Sequence, residues 1–126
     1  MTKKKETKKS FPALVEAVVE GMENLKASNI TILDLTELEN SVCDYFIISE
    51  GTSNTQVKAI SNSVEDYVRK TLTEKPWHVE GKENSEWVLM DYVNTVVHVF
   101  QSETRKFFDL ESLWGDAKIT VLENNF

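Results

Sequence analysis

Only one cysteine, Cys43, occurs in the 126 residues. A lone cysteine makes no internal disulfide, which excludes a disulfide-stapled secreted scaffold and suits a reducing, cytoplasmic setting. Cys43 itself reads as a small buried hydrophobe ahead of a strand. There are two histidines, His78 and His98, far apart and with no Cys or His at ligand spacing, so no metal site is expected. No apolar run reaches the roughly 18 residues that a membrane span needs. The basic N-terminus has no apolar stretch behind it, unlike a secretory signal, and it is too short and too poor in serine for an organelle transit peptide. A nucleophile elbow, a Walker A loop and a Rossmann glycine pattern are all missing, so no cofactor is expected. Internal repeats and low-complexity linkers are missing too.

What is present points to one folded domain. Forty per cent of the residues are apolar, enough to bury a core. Charge is unevenly placed: five lysines against Glu6 leave residues 1–10 at +4, so the −7 of the whole chain puts −11 on residues 11–126. So acidic a body is a poor binder of nucleic acid, which needs clustered Lys and Arg. It suits a basic protein partner, although acidity also serves plain solubility.

Residues 1–9 read as a disordered basic tail and residues 10–126 as the domain. Ser10 is placed to cap a helix with Pro12 in its first turn, carrying Leu14, Val18, Met22 and Leu25 at helical spacing and ending near Ser28-Asn29. Ile30 to Thr36 reads as a strand. Tyr45 to Glu50 is a second, with a continuous apolar run that suits the sheet interior. Ser53 to Gln56 is a capping box opening a helix that buries Val57, Ile60, Val64 and Val68 or Tyr67 and runs to about Thr73. Trp77 to Glu80, Trp87 to Tyr92 and Thr95 to Phe100 complete five strands. Ser102 is expected to cap a short helix and Asp109 the turn Leu110 to Trp114. Gly115 to Phe126 shows little periodicity and reads as loosely packed. The order αββαβββα predicts a two-layer α/β sandwich, a mixed five-stranded sheet with helices mainly on one face.

The stretch from Glu86 to Trp114 concentrates the chemistry. Only Val93 and Asn94 separate its two strands, which suggests a two-residue hairpin. A β-branched Val resists positive φ, which argues for a longer turn. With the two-residue turn, Tyr92/Thr95, Met90/Val97 and Val88/Val99 share an apolar side that packs under the helices. Asp91/Val96, Leu89/His98 and Trp87/Phe100 share the other. That second side is either an open interaction surface or is covered by the C-terminal tail. His98 reads as a satisfied strand histidine. Gly51-Thr52-Ser53, between a strand and a helix, offers a weak anion site and the basis for a competing reading as a nucleotide-binding enzyme. Asp34, Asp44 and Asp91 are scattered, which favours structural roles.

Three blocks carry a family resemblance: WVLMDYVNTVVHVF with the following R and LESLW, then LDLTELENSVCDYFIISEGTSN, then HVEGKENSEW. Together, over Leu14 to Trp114, they resemble the ribosomal silencing factor family, also called RsfS or Iojap. The family turn usually reads Gly-Asp where Val93-Asn94 stands here. The resemblance implies a nucleotidyltransferase-like fold without its catalytic carboxylate pair, hence no enzyme. It implies a translation repressor that binds ribosomal protein fourteen of the large ribosomal subunit and blocks joining to the small subunit when nutrients are scarce. The implied partner surface falls on Trp87, Asp91, His98, Arg105, Leu110, Glu111 and Trp114. Trp87 and Trp114 would be its apolar anchors and Asp91 and Glu111 its acceptors, with Arg105 instead holding the tail by an internal ion pair. A contact of the lysine tail with ribosomal RNA and a homodimer are further expectations.

Overall fold

The computed structural model describes residues 11–122. Its elements are α1 (Ala13–Asn24), β1 (Ser28–Asp34), β2 (Tyr45–Gly51), α2 (Asn54–Leu72), β3 (His78–Glu80), β4 (Trp87–Asp91), β5 (Thr95–Gln101), α3 (Ser102–Phe108), α4 (Leu110–Leu113) and β6 (Lys118–Val121). The α/β class holds, with six strands instead of five, in the order β3-β4-β5-β2-β1-β6. Only the β2–β5 pair is parallel; the other four are antiparallel. β2, whose apolar run suited an interior place, lies between β5 and β1.

Strand alternation divides the core in two. Ile30, Ile32, Ile47, Val88, Met90, Val97 and Val99 pack under Val15, Val18 and Met22 of α1 and Val57, Ile60, Val64 and Val68 of α2. Leu33, Phe46, Ile48 and Phe100 face the other way and meet Leu110 of α4. The sandwich therefore has a partial third layer, the tail formed by α3 and α4. The two long helices approach closely at Gly21, where a Cβ would stand 2.8 Å from the Val64 Cα. Among the described residues, no helix is long and apolar enough to cross a membrane.

Several boundaries differ from the sequence expectation. Pro12 is itself the N-cap of α1, and Ser10, like the tail 1–9, lies outside the described residues. α1 stops at Asn24 because Lys26 takes φ 58°, and the Ala27 N–H turns back to the Met22 carbonyl at 3.1 Å. Asn29 is also left-handed, at φ 52°, but inside β1, where the register with β2 shifts between Ser28 and Thr31. The capping box at α2 is half as expected. Ser53 Oγ accepts from the Gln56 N–H at 3.1 Å, whereas Gln56 Oε1 accepts from the Thr52 N–H at 2.8 Å, one residue early.

Gln101, not Ser102, is the N-cap of α3, because the Ser102 hydroxyl is drawn to Glu50 Oε2 at 2.9 Å. Asp109 is the N-cap of α4 as expected, though its carboxylate accepts from the Ser112 hydroxyl at 2.6 Å. The segment read as loosely packed contains β6, whose Thr31/Val121 and Leu33/Ile119 pairs join it to β1.

The hairpin turn has two residues and the register runs Trp87/Phe100 through Asp91/Val96, with the Tyr92 N–H on the Thr95 carbonyl at 2.8 Å. Val93 accepts φ 78°. The Asn94 N–H reaches the Tyr92 carbonyl at 3.0 Å, the bond of a γ-turn centred on Val93. The Asp91 carboxylate takes the Val93 N–H at 2.8 Å, which secures the tip. A valine held at positive φ stores strain on the order of 1–3 kcal/mol. Val93→Gly should therefore stabilise the fold by about 1 kcal/mol, read as a higher midpoint in urea unfolding.

Candidate functional site: the tail-side face of the sheet

The tail is held by one guanidinium. Arg105, on α3 and only 9% exposed, donates from Nε and Nη2 to Glu111 Oε2 at 3.1 and 2.6 Å. Its Nη1 donates to Glu50 Oε1 at 3.1 Å and to the Asn29 carbonyl at 2.8 Å, and Nη2 also reaches Thr31 Oγ1 at 3.0 Å. The bulge in β1 is what aims the Asn29 carbonyl out of the ladder and toward the arginine. Glu50 is satisfied in turn by Asn29 Nδ2 at 3.1 Å and by the Ser102 hydroxyl. Four elements, β1, β2, α3 and α4, thus meet at Arg105.

Beneath the tail lies an aromatic floor. Phe46 packs edge-on against His98 at 4.7 Å and Trp114 at 5.8 Å between centroids. Trp87 stacks on Phe100 at 4.9 Å and meets Phe108 at the same distance. The Trp87 indole N–H donates to His98 Nδ1 at 3.0 Å, which puts the ring proton on Nε2, where it finds no partner among the described residues, so the histidine expected to be satisfied is satisfied at one nitrogen only. His98 is 3% exposed, and burial pushes its pKa down to about 3, so the ring is neutral.

Of the seven residues implied by the resemblance, the structure brings all but one around this floor. Trp87, Glu111 and Trp114 are half-buried at its surface. His98, Arg105 and Leu110 are buried. Asp91 is half-buried but stands at the far end, beside the hairpin turn. The tail covers the centre of this side and leaves the tryptophan edges open. Trp114 borders a cleft of about 290 Å³ with Leu38, Glu39, Asn40, Leu113 and Asp116. Exposed Phe107 and Leu113 add apolar surface. Glu50 and Phe108 are members that sequence reasoning missed; the signal for Glu50 was a single carboxylate closing an otherwise apolar strand.

The remaining candidates are accounted for locally. Cys43 is buried, its Sγ 3.3 Å from the Tyr45 carbonyl, and burial pushes the thiol up to about 11, so it stays protonated. Asp34 accepts from the Thr36 N–H and hydroxyl at 3.0 and 2.6 Å. The Gly51-Thr52-Ser53 loop already spends the Thr52 N–H on Gln56. Among the described residues no group of three or more His, Cys, Asp or Glu is placed to hold a metal ion.

Fold and site define a class: an acidic α/β domain presenting one sheet face, half-covered by its own tail and edged with tryptophans. The family model described as "Ribosomal silencing factor during starvation" matches residues 8–125. The ribosomal silencing factor RsfS of Halalkalibacterium halodurans is 34% identical over 110 residues, 87% of this chain and 92% of that protein. That of Chromobacterium violaceum is 38% identical over 100 residues, 79% of this chain and 80% of that protein. A crystal structure of a protein from Chromobacterium violaceum superposes with a TM-score of 0.76 at 36% identity, covering 81% of this chain and 83% of that one. The chain belongs to the ribosomal silencing factor family.

Two outcomes test the site as built. Arg105→Met leaves two carboxylates facing each other in a half-buried setting and should cost about 3–5 kcal/mol of stability, measured by urea unfolding. The folded chain refuses a proton on His98 that the unfolded chain accepts below about pH 6.5. Stability therefore falls as pH falls through that window, toward the folded value near 3. Between about pH 7.5 and about pH 5.5 wild type should lose roughly 1 kcal/mol more than His98→Gln, read from paired denaturation curves.

Proposed function

We infer that this protein represses translation by binding the large ribosomal subunit through a basic ribosomal protein, ribosomal protein fourteen of that subunit, and blocking its joining to the small subunit. The observation that carries the reading is the pair of half-buried tryptophans, Trp87 and Trp114, on either side of the buried Phe46 and His98. Large rigid aromatics at the edge of a firm floor are what hot spots are built from. Glu111, Glu39 and Asp116 supply acceptors for Lys and Arg around them, and Asp91 a further one at the turn end of the same face. His98, Arg105 and Leu110 act from inside, by fixing where the tryptophans stand. The role is steric and needs no catalysis. It fits a family whose members are named as silencing factors. The lysine-rich residues 1–10, at +4, add attraction toward ribosomal RNA.

Purified protein should co-sediment with isolated large subunits and lower the yield of joined ribosomes. Protein left at the top of the gradient overturns the reading. Trp114→Ala, with its circular dichroism unchanged, should cost about 2–4 kcal/mol of affinity.

A further inference from the structure

Another apolar feature lies at the turn end of the same sheet face, away from Trp114. Trp77, just before β3, is 79% exposed, although its backbone N–H is fixed on the Asp91 carbonyl at 2.7 Å. Val93 and Val42 are 62% and 71% exposed. With Asp91 and Val96 these side chains line an open cleft of about 380 Å³. Trp77, Val42 and Val93 belong to neither core cluster. A tryptophan and two valines left in water do not serve folding, and apolar surface of this kind marks a contact site.

The turn adds a second, independent observation. Val93 holds φ 78°, a conformation that Asn or Gly adopts far more readily. The strain places a β-branched side chain on the rim of the cleft. Strained residues persist where function needs them. The charge on the cleft is negative. One Asp91 oxygen binds the Val93 N–H, and no described Lys or Arg bridges Asp91 or exposed Asp44. Asp44 stands two residues after Val42 and is exposed like it.

We propose that this cleft is a second docking point, which takes one aliphatic side chain from a loop of a basic protein whose neighbouring Lys or Arg pairs with Asp91. The assignment rests on the ribosome-binding reading above and extends it to Trp77, Val42, Val93 and Val96. Apolar walls beside an unpaired carboxylate select such a side chain, and the carboxylates repel a phosphate backbone.

The test is equilibrium binding to purified large ribosomal subunits over a range of salt concentrations. Trp77→Ala should bind about ten-fold more weakly with an unchanged thermal midpoint, as expected for an exposed anchor. Val93→Gly should also bind more weakly while its thermal midpoint rises, a combination that a folding defect does not produce. Asp91→Asn should flatten the salt dependence. If wild type binds and Trp77→Ala and Val93→Gly bind as tightly, the cleft proposal falls and the ribosome-binding reading stands. If wild type does not bind, both fall. Loss of affinity for protein-free ribosomal RNA in the same variants would overturn the choice of a protein partner.

Discussion

The tail-side face depends on Arg105. α3 and α4 are seven and four residues long, far below the length at which a helix stands by itself in water. Leu110 is the one buried apolar side chain that they contribute. What orders them is a guanidinium reaching both back into the sheet, at Asn29, Thr31 and Glu50, and forward to Glu111. Two carboxylates against one cation would leave excess negative charge in a poorly solvated place. Asn29 Nδ2 and the Ser102 hydroxyl on Glu50 offset part of it. This arrangement explains why β1 carries a bulge at an asparagine and why Ser102 forgoes capping its own helix. Both irregularities feed the same network.

With the tail in place, the sheet face acquires a graded exposure. Phe46, Phe100 and His98 are closed over, Trp87 and Trp114 are half-open, and Trp77, Phe107 and Leu113 stand in solvent. The bond from the Trp87 indole to His98 fixes the ring of a residue that stays half-exposed. Pre-organisation of this sort lowers the entropic cost of an aromatic contact. The opposite side of the sheet has no such gradient. There α1 and α2 seal the core and turn polar side chains outward, among them Glu16, Glu20, Lys58 and Lys70.

Sequence period alone goes a long way into this fold. Hairpin register and the two sides of β4 and β5 follow from alternation and a two-residue gap, and the interior place of β2 follows from its unbroken apolar run. What does not follow is long-range. Glu50 and Arg105 are 55 residues apart, and nothing in either neighbourhood signals the other. Coverage of the second side by the tail therefore does not follow from the sequence. β6 was hidden for a different reason. Its Ile119 and Val121 alternate with Lys118 and Thr120, but the strand is four residues long and its apolar residues are the exposed ones, so the usual association of apolar with inward fails. At Val93 propensity argues against the conformation that the chain adopts, and the disagreement falls where an exposed apolar cleft opens.

On the proposed reading, the distribution of charge and apolar surface decides what kind of partner this face takes. A body carrying −11 over residues 11–126 repels a phosphate backbone at long range and attracts a basic protein surface. Rim carboxylates act mainly on the rate and register of encounter, because exposed pairs contribute little net affinity. Holding on falls to the tryptophans and valines, whose burial is insensitive to salt. A partner that satisfies both must place aliphatic side chains among lysines and arginines. Ribosomal RNA satisfies neither on this face, which leaves it only the lysine-rich residues 1–10. On that reading, protein contact on the sheet face and nucleic-acid contact at residues 1–10 would be separate devices in one short chain, distinguishable by their opposite dependence on charge.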